Sequence, residues 1–141
     1  MMAVDGGYRR WVGLPVFSTR RMFHVGVLVR KDRGIEKPAD LRGKKLGVTE
    51  YQQTAALWSR GVLQHEFGVH PKDMEFWMER PPSRSHGGAT GFVPPPGVPV
   101  HQIPVEKSIG SMLLGGVLEA VLLSPVTPHP TPPHPVHPPT P

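Results

Sequence analysis

Apolar residues along the chain fall into short runs separated by charged or proline- and glycine-rich breaks. The run Phe23-His24-Val25-Gly26-Val27-Leu28-Val29 is nearly continuous and rich in valine, which predicts a strand covered on both faces. It stops at Arg30-Lys31-Asp32-Arg33-Gly34. Pro38-Ala39-Asp40-Leu41 then reads as one helical turn with proline early, closed by Gly43. A second buried strand is expected at Lys45-Leu46-Gly47-Val48-Thr49, followed by a polar loop and a helix from about Gln53 to Phe67. On a helical wheel, Ala55, Ala56, Trp58, Val62, Leu63 and Phe67 share about half the circumference, with Arg60 and Gln64 outside it, so that face should lie on the sheet. Gly68 ends the helix and Pro71 stands just beyond it.

Further along, Met74-Glu75-Phe76-Trp77-Met78 predicts a third strand, and residues 81–96 a glycine- and proline-rich loop too long for a simple connector. A fourth strand is expected near Val98 to Ile103, a helix from Ser108 to about Leu114 with Ser108 as N-cap, and a fifth strand in Leu118-Glu119-Ala120-Val121-Leu122-Leu123. Strands alternating with helices predict an α/β layer arrangement around a mostly parallel sheet. Before the first strand only Trp11 to Phe17 has extended character.

Composition shortens the part that can be regular. Of 141 residues, 19 are proline and 16 glycine. Nine of those prolines fall after Leu123, in a stretch with no Asp, Glu, Lys or Arg. Such a tail is expected to be disordered or polyproline-like. The domain organisation expected is therefore a lead-in over residues 1–22, an α/β lobe over 23–123 and a Pro/His-rich tail over 124–141.

The net charge of +5 is spread along the chain, and no aromatic-basic module or zinc-finger spacing accompanies it, which argues against nucleic acid as partner. Absence of cysteine excludes disulfides, thiolate catalysis and cysteine-ligated metals. No run of about 18 apolar residues predicts a membrane span, and residues 1–10 lack the basic start and apolar middle of a secretory signal, so a cytoplasmic protein is expected. His129, His134 and His137 lie in the proline-rich tail without a scaffold to hold a metal, and no metal site is expected. Neither a Walker loop nor a nucleophile elbow is present, which argues against a phosphate loop and serine-based catalysis and leaves the cofactor unknown.

Two groups of residues carry candidate chemistry. The loop Thr49-Glu50-Tyr51-Gln52-Gln53-Thr54 supplies hydroxyls, amides, a carboxylate and a phenol at the carboxyl end of a strand, where open α/β sheets bind ligands. The alternative for the same residues is helix capping by Thr49 or Gln52. Arg20, Arg21 and His24 lead into the first strand. Arg offers a planar fork for a carboxylate and His a proton near neutral pH, against a reading as solvated arginines and a strand histidine.

Pro15-Val16-Phe17 with Arg20 and His24, Pro38-Ala39-Asp40-Leu41-Arg42-Gly43-Lys44-Lys45-Leu46-Gly47-Val48, and Glu50-Tyr51-Gln52 with Thr54-Ala55-Ala56-Leu57-Trp58 resemble the 4,5-dihydroxyphthalate decarboxylase family. The Asp-Leu-Arg-Gly-Lys-Lys part is shared widely among substrate-binding proteins, whereas Glu-Tyr-Gln-x-Thr-Ala-Ala-x-Trp is more specific. The resemblance implies a three-layer α/β lobe of the type 2 periplasmic-binding-protein kind, incomplete here, because such proteins clamp a ligand between two lobes. It also implies a truncated copy that leaves a lobe surface unpaired and open to self-association.

By this likeness the activity would be non-oxidative decarboxylation of an aromatic dicarboxylic acid, a carboxy-lyase reaction. Arg20 would anchor a carboxylate, His24 would donate the proton, Glu50 would hold a ring hydroxyl or tune His24, and Thr49, Tyr51, Gln52 and Thr54 would bind the small aromatic or organic carboxylate. Residues 80–96 depart from the family pattern. The same fold serves solute-binding components of ABC-type transporters, which would place the protein in the periplasm or on a lipid anchor, and an inactive fragment is the third reading.

Overall fold

The computed structural model describes residues 26–85 and 91–122. Five strands form one sheet in the order β1-β5-β2-β3-β4, with β1 Val27–Val29, β2 Lys45–Val48, β3 Glu75–Met78, β4 Val100–Gln102 and β5 Ala120–Leu122. Four of them run parallel, and β1 alone pairs antiparallel, Leu28 opposite Val121. Helix α1, Thr54–Phe67, connects β2 to β3, and the short helix α2, Ile109–Leu114, connects β4 to β5.

Period-two alternation divides the side chains between two faces of the sheet. Leu46, Val48, Phe76, Ala120 and Leu122 join Leu41, Ala56, Leu63, Val69 and Met74 in the larger core beneath α1. Val121 joins Ile103, Ile109, Met112 and Leu118 in a smaller core beneath α2, with Trp77 packed against it. Helices therefore cover both faces, which makes the three layers that the alternating elements predict. Gly47 points at the α2 layer. A Cβ there would stand 2.9 Å from Leu118 Cδ1 and 3.1 Å from Ile109 Cγ2, so the absence of a side chain lets that layer seat directly on β2.

The predicted element boundaries after the first strand hold to within about two residues, and the local signals act as expected. A 3-10 turn over Pro38–Leu41 is fixed by Asp40, whose carboxylate accepts from the backbone N–H groups of Glu36 (3.1 Å) and Lys37 (3.0 Å). Gly68 closes α1 in the left-handed region at φ 64°, where its N–H meets the carbonyls of Gln64 and Leu63. Ser108 caps α2, its hydroxyl accepting from the Ser111 N–H at 3.1 Å.

Two expectations are corrected. The first strand is not covered on both faces: Leu28 is 53 % and Val29 37 % exposed. β1 sits at the end of the sheet, paired to β5 alone among the described residues, and an apolar run reads the same whether its strand is central or marginal. The second correction concerns α1. Its buried residues are Ala55, Ala56, Ser59, Arg60 and Leu63, while Trp58 and Phe67 are more than half exposed. The rings of Tyr51 and Phe76 join the core that α1 covers, meeting edge to face at 5.1 Å between centroids. Small residues let the helix approach, and Arg60 lays its guanidinium on the Tyr51 ring at 3.6 Å.

The lead-in over residues 1–22, the start of the first strand and the tail over 124–141 lie outside the described residues, as do residues 86–90 of the long loop. Among the described residues, no helix is long and apolar enough to cross a membrane.

Candidate functional site

Because β2, β3 and β4 run parallel and adjacent, their carboxyl ends open onto the same edge of the sheet. Three segments meet there: Thr49 to Gln53 after β2, Glu79 to Ser85 after β3, and Gln102 at the end of β4. The backbone joins the first two, with the Glu79 N–H donating to the Val48 carbonyl at 3.0 Å and the Arg80 N–H to the Thr49 carbonyl at 3.1 Å. Gln102 ties in the third, its amide donating to the carbonyls of Met78 (2.8 Å) and Arg80 (3.1 Å).

Charge is concentrated at Glu50. Its side chain is almost completely buried, 3 % exposed, and its Oε2 lies 3.5 Å from Arg80 Nη1. A carboxylate removed from water at this depth needs a fixed cation nearby. The neighbouring Gln52 amide donates to Ser85 Oγ at 3.4 Å. Its Oε1 is buried and has no hydrogen-bond partner.

The other loop residues take different places. Tyr51 is a core residue: its ring lies against Phe76, is stacked on Phe92 at 6.0 Å and is covered by Arg60. Arg60 also donates from Nη1 to the Tyr51 carbonyl at 2.6 Å, so it holds both ends of that residue. Burial pushes the Arg60 guanidinium below its ordinary pKa, and Tyr51 opposes the shift. Thr49 is half-buried beside Arg80, and Thr54 is exposed as the first residue of α1. The capping alternative fails: the N-cap position is Gln53 and no side chain closes that turn, so neither Thr49 nor Gln52 is a helix cap.

Arg20, Arg21 and His24 lie outside the described residues. Of the sequence candidates, Thr49, Glu50 and Gln52 share the carboxyl edge, Tyr51 anchors their loop from within the core, and Thr54 starts the helix behind them. Sequence reasoning missed Arg80, Ser85 and Gln102. Their signal was available in the rule that selected the β2 loop, since all three follow or end parallel strands at the same edge. Arg60 carried no such signal, because its position on the wheel placed it away from the sheet.

The edge so built is that of a periodic α/β sheet with ligand-type polar groups at the strand ends, and the fold is periplasmic-binding-protein-like. Residues 8–79, just over half of the chain, match the family model described as NMT1/THI5 like, and the chain belongs to that family. It is 47 % identical over 70 residues to a 4,5-dihydroxyphthalate decarboxylase of Comamonas testosteroni, a match covering 50 % of this chain and 21 % of that protein. It is 43 % identical over 68 residues to the 4,5-dihydroxyphthalate decarboxylase of Pseudomonas putida, covering 48 % of this chain and 26 % of that protein. The chain thus aligns with about a quarter or less of the length of either relative.

Proposed function

We propose that this chain carries the ligand-binding edge of a decarboxylase acting on a hydroxylated aromatic dicarboxylate of the 4,5-dihydroxyphthalate class. The observation that carries this reading is the buried Glu50, held by Arg80 at the joined carboxyl ends of β2 and β3, in a chain whose relatives bear that activity in their names.

Non-oxidative decarboxylation breaks the bond between the ring carbon and a carboxylate. The bonding electron pair stays on the ring carbon, which takes a proton as carbon dioxide leaves. The protein must therefore hold the ring still, keep the remaining carboxylate anchored, and deliver one proton at the reacting carbon. In this reading Thr49, Glu50 and Gln52 bind the ring substituents, Arg20 anchors a carboxylate and His24 supplies the proton. Tyr51 acts from the core by fixing the loop, not by contact through its phenol, and Thr54 sets the start of the helix behind it.

Incubating the chain with 4,5-dihydroxyphthalate and following both heat of binding and carbon dioxide release tests the reading. Carbon dioxide release that falls at least about tenfold in Glu50→Gln is expected. Binding without any release would favour a solute carrier over an enzyme, and failure to bind the diacid would refute both the substrate class and the site.

A further inference from the structure

Two buried side-chain polar atoms among the described residues have no hydrogen-bond partner, Gln52 Oε1 and Trp77 Nε1. They differ in setting. Trp77 points into the layer beneath α2, with its ring against His101 at 4.8 Å between centroids. Gln52 stands at the carboxyl edge of the parallel strands, two residues after the buried Glu50 and in contact with Ser85 of the neighbouring segment. A buried amide oxygen without a donor is a stored desolvation penalty, and a group that brings a proton to it relieves that penalty.

We infer that Gln52 Oε1 accepts a hydrogen bond from a ring hydroxyl of the ligand, so that Gln52 is the residue that separates hydroxylated aromatic carboxylates from unsubstituted ones. The inference rests on the substrate class proposed above. The chemistry of the donor set fixes the orientation. An amide oxygen repels a carboxylate and takes a phenolic hydroxyl, which is a strong donor. The Gln52 oxygen therefore turns the hydroxyl-bearing end of the ring toward itself while the carboxylates face away. A site built to bond a hydroxyl discriminates strongly against the analogue that lacks it, because the buried acceptor then stays unpaired.

Titration calorimetry of the full chain with 4,5-dihydroxyphthalate and with phthalate reads the preference directly. The wild type is expected to bind the hydroxylated diacid about 10- to 100-fold more tightly. Gln52→Leu, and Gln52→Met as an unbranched second variant, should bind both diacids alike, at the level of wild-type phthalate binding. Ligand-free thermal unfolding supplies a readout that a merely structural glutamine would move the other way. Removing the unpaired acceptor offsets the loss of the long 3.4 Å bond from Gln52 Nε2 to Ser85 Oγ, so the Tm is expected to be unchanged or raised by roughly a few degrees, whereas loss of structural support lowers it. Equal binding of the two diacids by the wild type would overturn the inference and leave the aromatic dicarboxylate site standing. Failure to bind either would overturn both, and so tell the two apart. Retained discrimination in the variants, or a lower Tm or unfolding of both variants without ligand, would also overturn the role given to Gln52.

Discussion

Replacing Gly47 by alanine tests how tightly the second helical layer is bound to the sheet. The added Cβ would stand 2.9 Å from Leu118 Cδ1, and 3.1 and 3.3 Å from Ile109 Cγ2 and Cγ1. Both neighbours are buried, Leu118 completely, so the crowding cannot be relieved by swinging a side chain into water. Overpacking of this kind costs about 1–3 kcal/mol. Against it stands the gain from a less flexible unfolded chain, about 0.4–1 kcal/mol for Gly to Ala. The difference leaves a loss of about 1–2 kcal/mol, which for a domain of about 100 residues lowers the Tm by roughly 5–15 °C.

Urea unfolding followed by tryptophan fluorescence measures the midpoint and slope for the single variant. The double variant with Leu118→Val shortens the offending side chain. If the clash is the cause, Leu118→Val should cost less in the Gly47→Ala background than in the wild type, with a coupling energy of about 0.5–1.5 kcal/mol. An unchanged or raised midpoint for Gly47→Ala, or strictly additive effects, would refute the close approach of α2 to β2.

Two further predictions rest on single side chains. Arg60→Met keeps most of the buried stem but removes the guanidinium from the Tyr51 ring and the donor to the Tyr51 carbonyl. It should destabilise the chain by about 2 kcal/mol, and an unaltered thermal transition would show that Arg60 contributes nothing net. Asp40 is held below its ordinary pKa by the N–H groups of Glu36 and Lys37. The stability it contributes is therefore complete above the unfolded carboxyl value of about 3.8 and disappears as pH falls through the lower folded value. A Tm that falls below about pH 4 by the same amount in wild type and Asp40→Asn would count against that contact.

Local rules in the sequence account for most of the frame. Gly68 and Ser108 mark helix ends through backbone conformation and side-chain capping, which need no knowledge of the rest of the molecule. The strands at Leu46, Phe76 and Val121 are legible because burial on both faces leaves no polar alternation. Position within the sheet is a tertiary property, and so β1 looked central from its valines while standing at the margin. The inner face of α1 was legible at Ala55, Ala56 and Leu63, but hydrophobicity ranked Trp58 and Phe67 above the Ser59 and Arg60 that are buried there. Where the helix passes Tyr51 it presents small residues and the stacked guanidinium of Arg60, and there fit outweighed hydrophobicity. At the candidate site, the β2 loop was visible because it follows a strand, but Gln52's unpaired oxygen exists only once burial has removed water from it.

The carboxyl edge is also braced from both helical layers. On the α1 side, Arg60 fixes Tyr51 by ring and carbonyl together, and Tyr51 stands between Glu50 and Gln52 in the chain. On the α2 side, Glu79, adjacent to Arg80, accepts from the Ile109 N–H at 2.8 Å and so ties the end of β3 to the start of that helix. Gln102 then clamps the two carbonyls that flank Glu79. Glu50 and Arg80 thus belong to segments secured from opposite faces of the sheet, and their 3.5 Å approach depends on both layers remaining in register. A change that loosens either layer should open this ion pair, even from a position as distant in the sequence as Leu118. Preorganisation at the strand ends and packing at the two cores are, in this molecule, the same physical requirement.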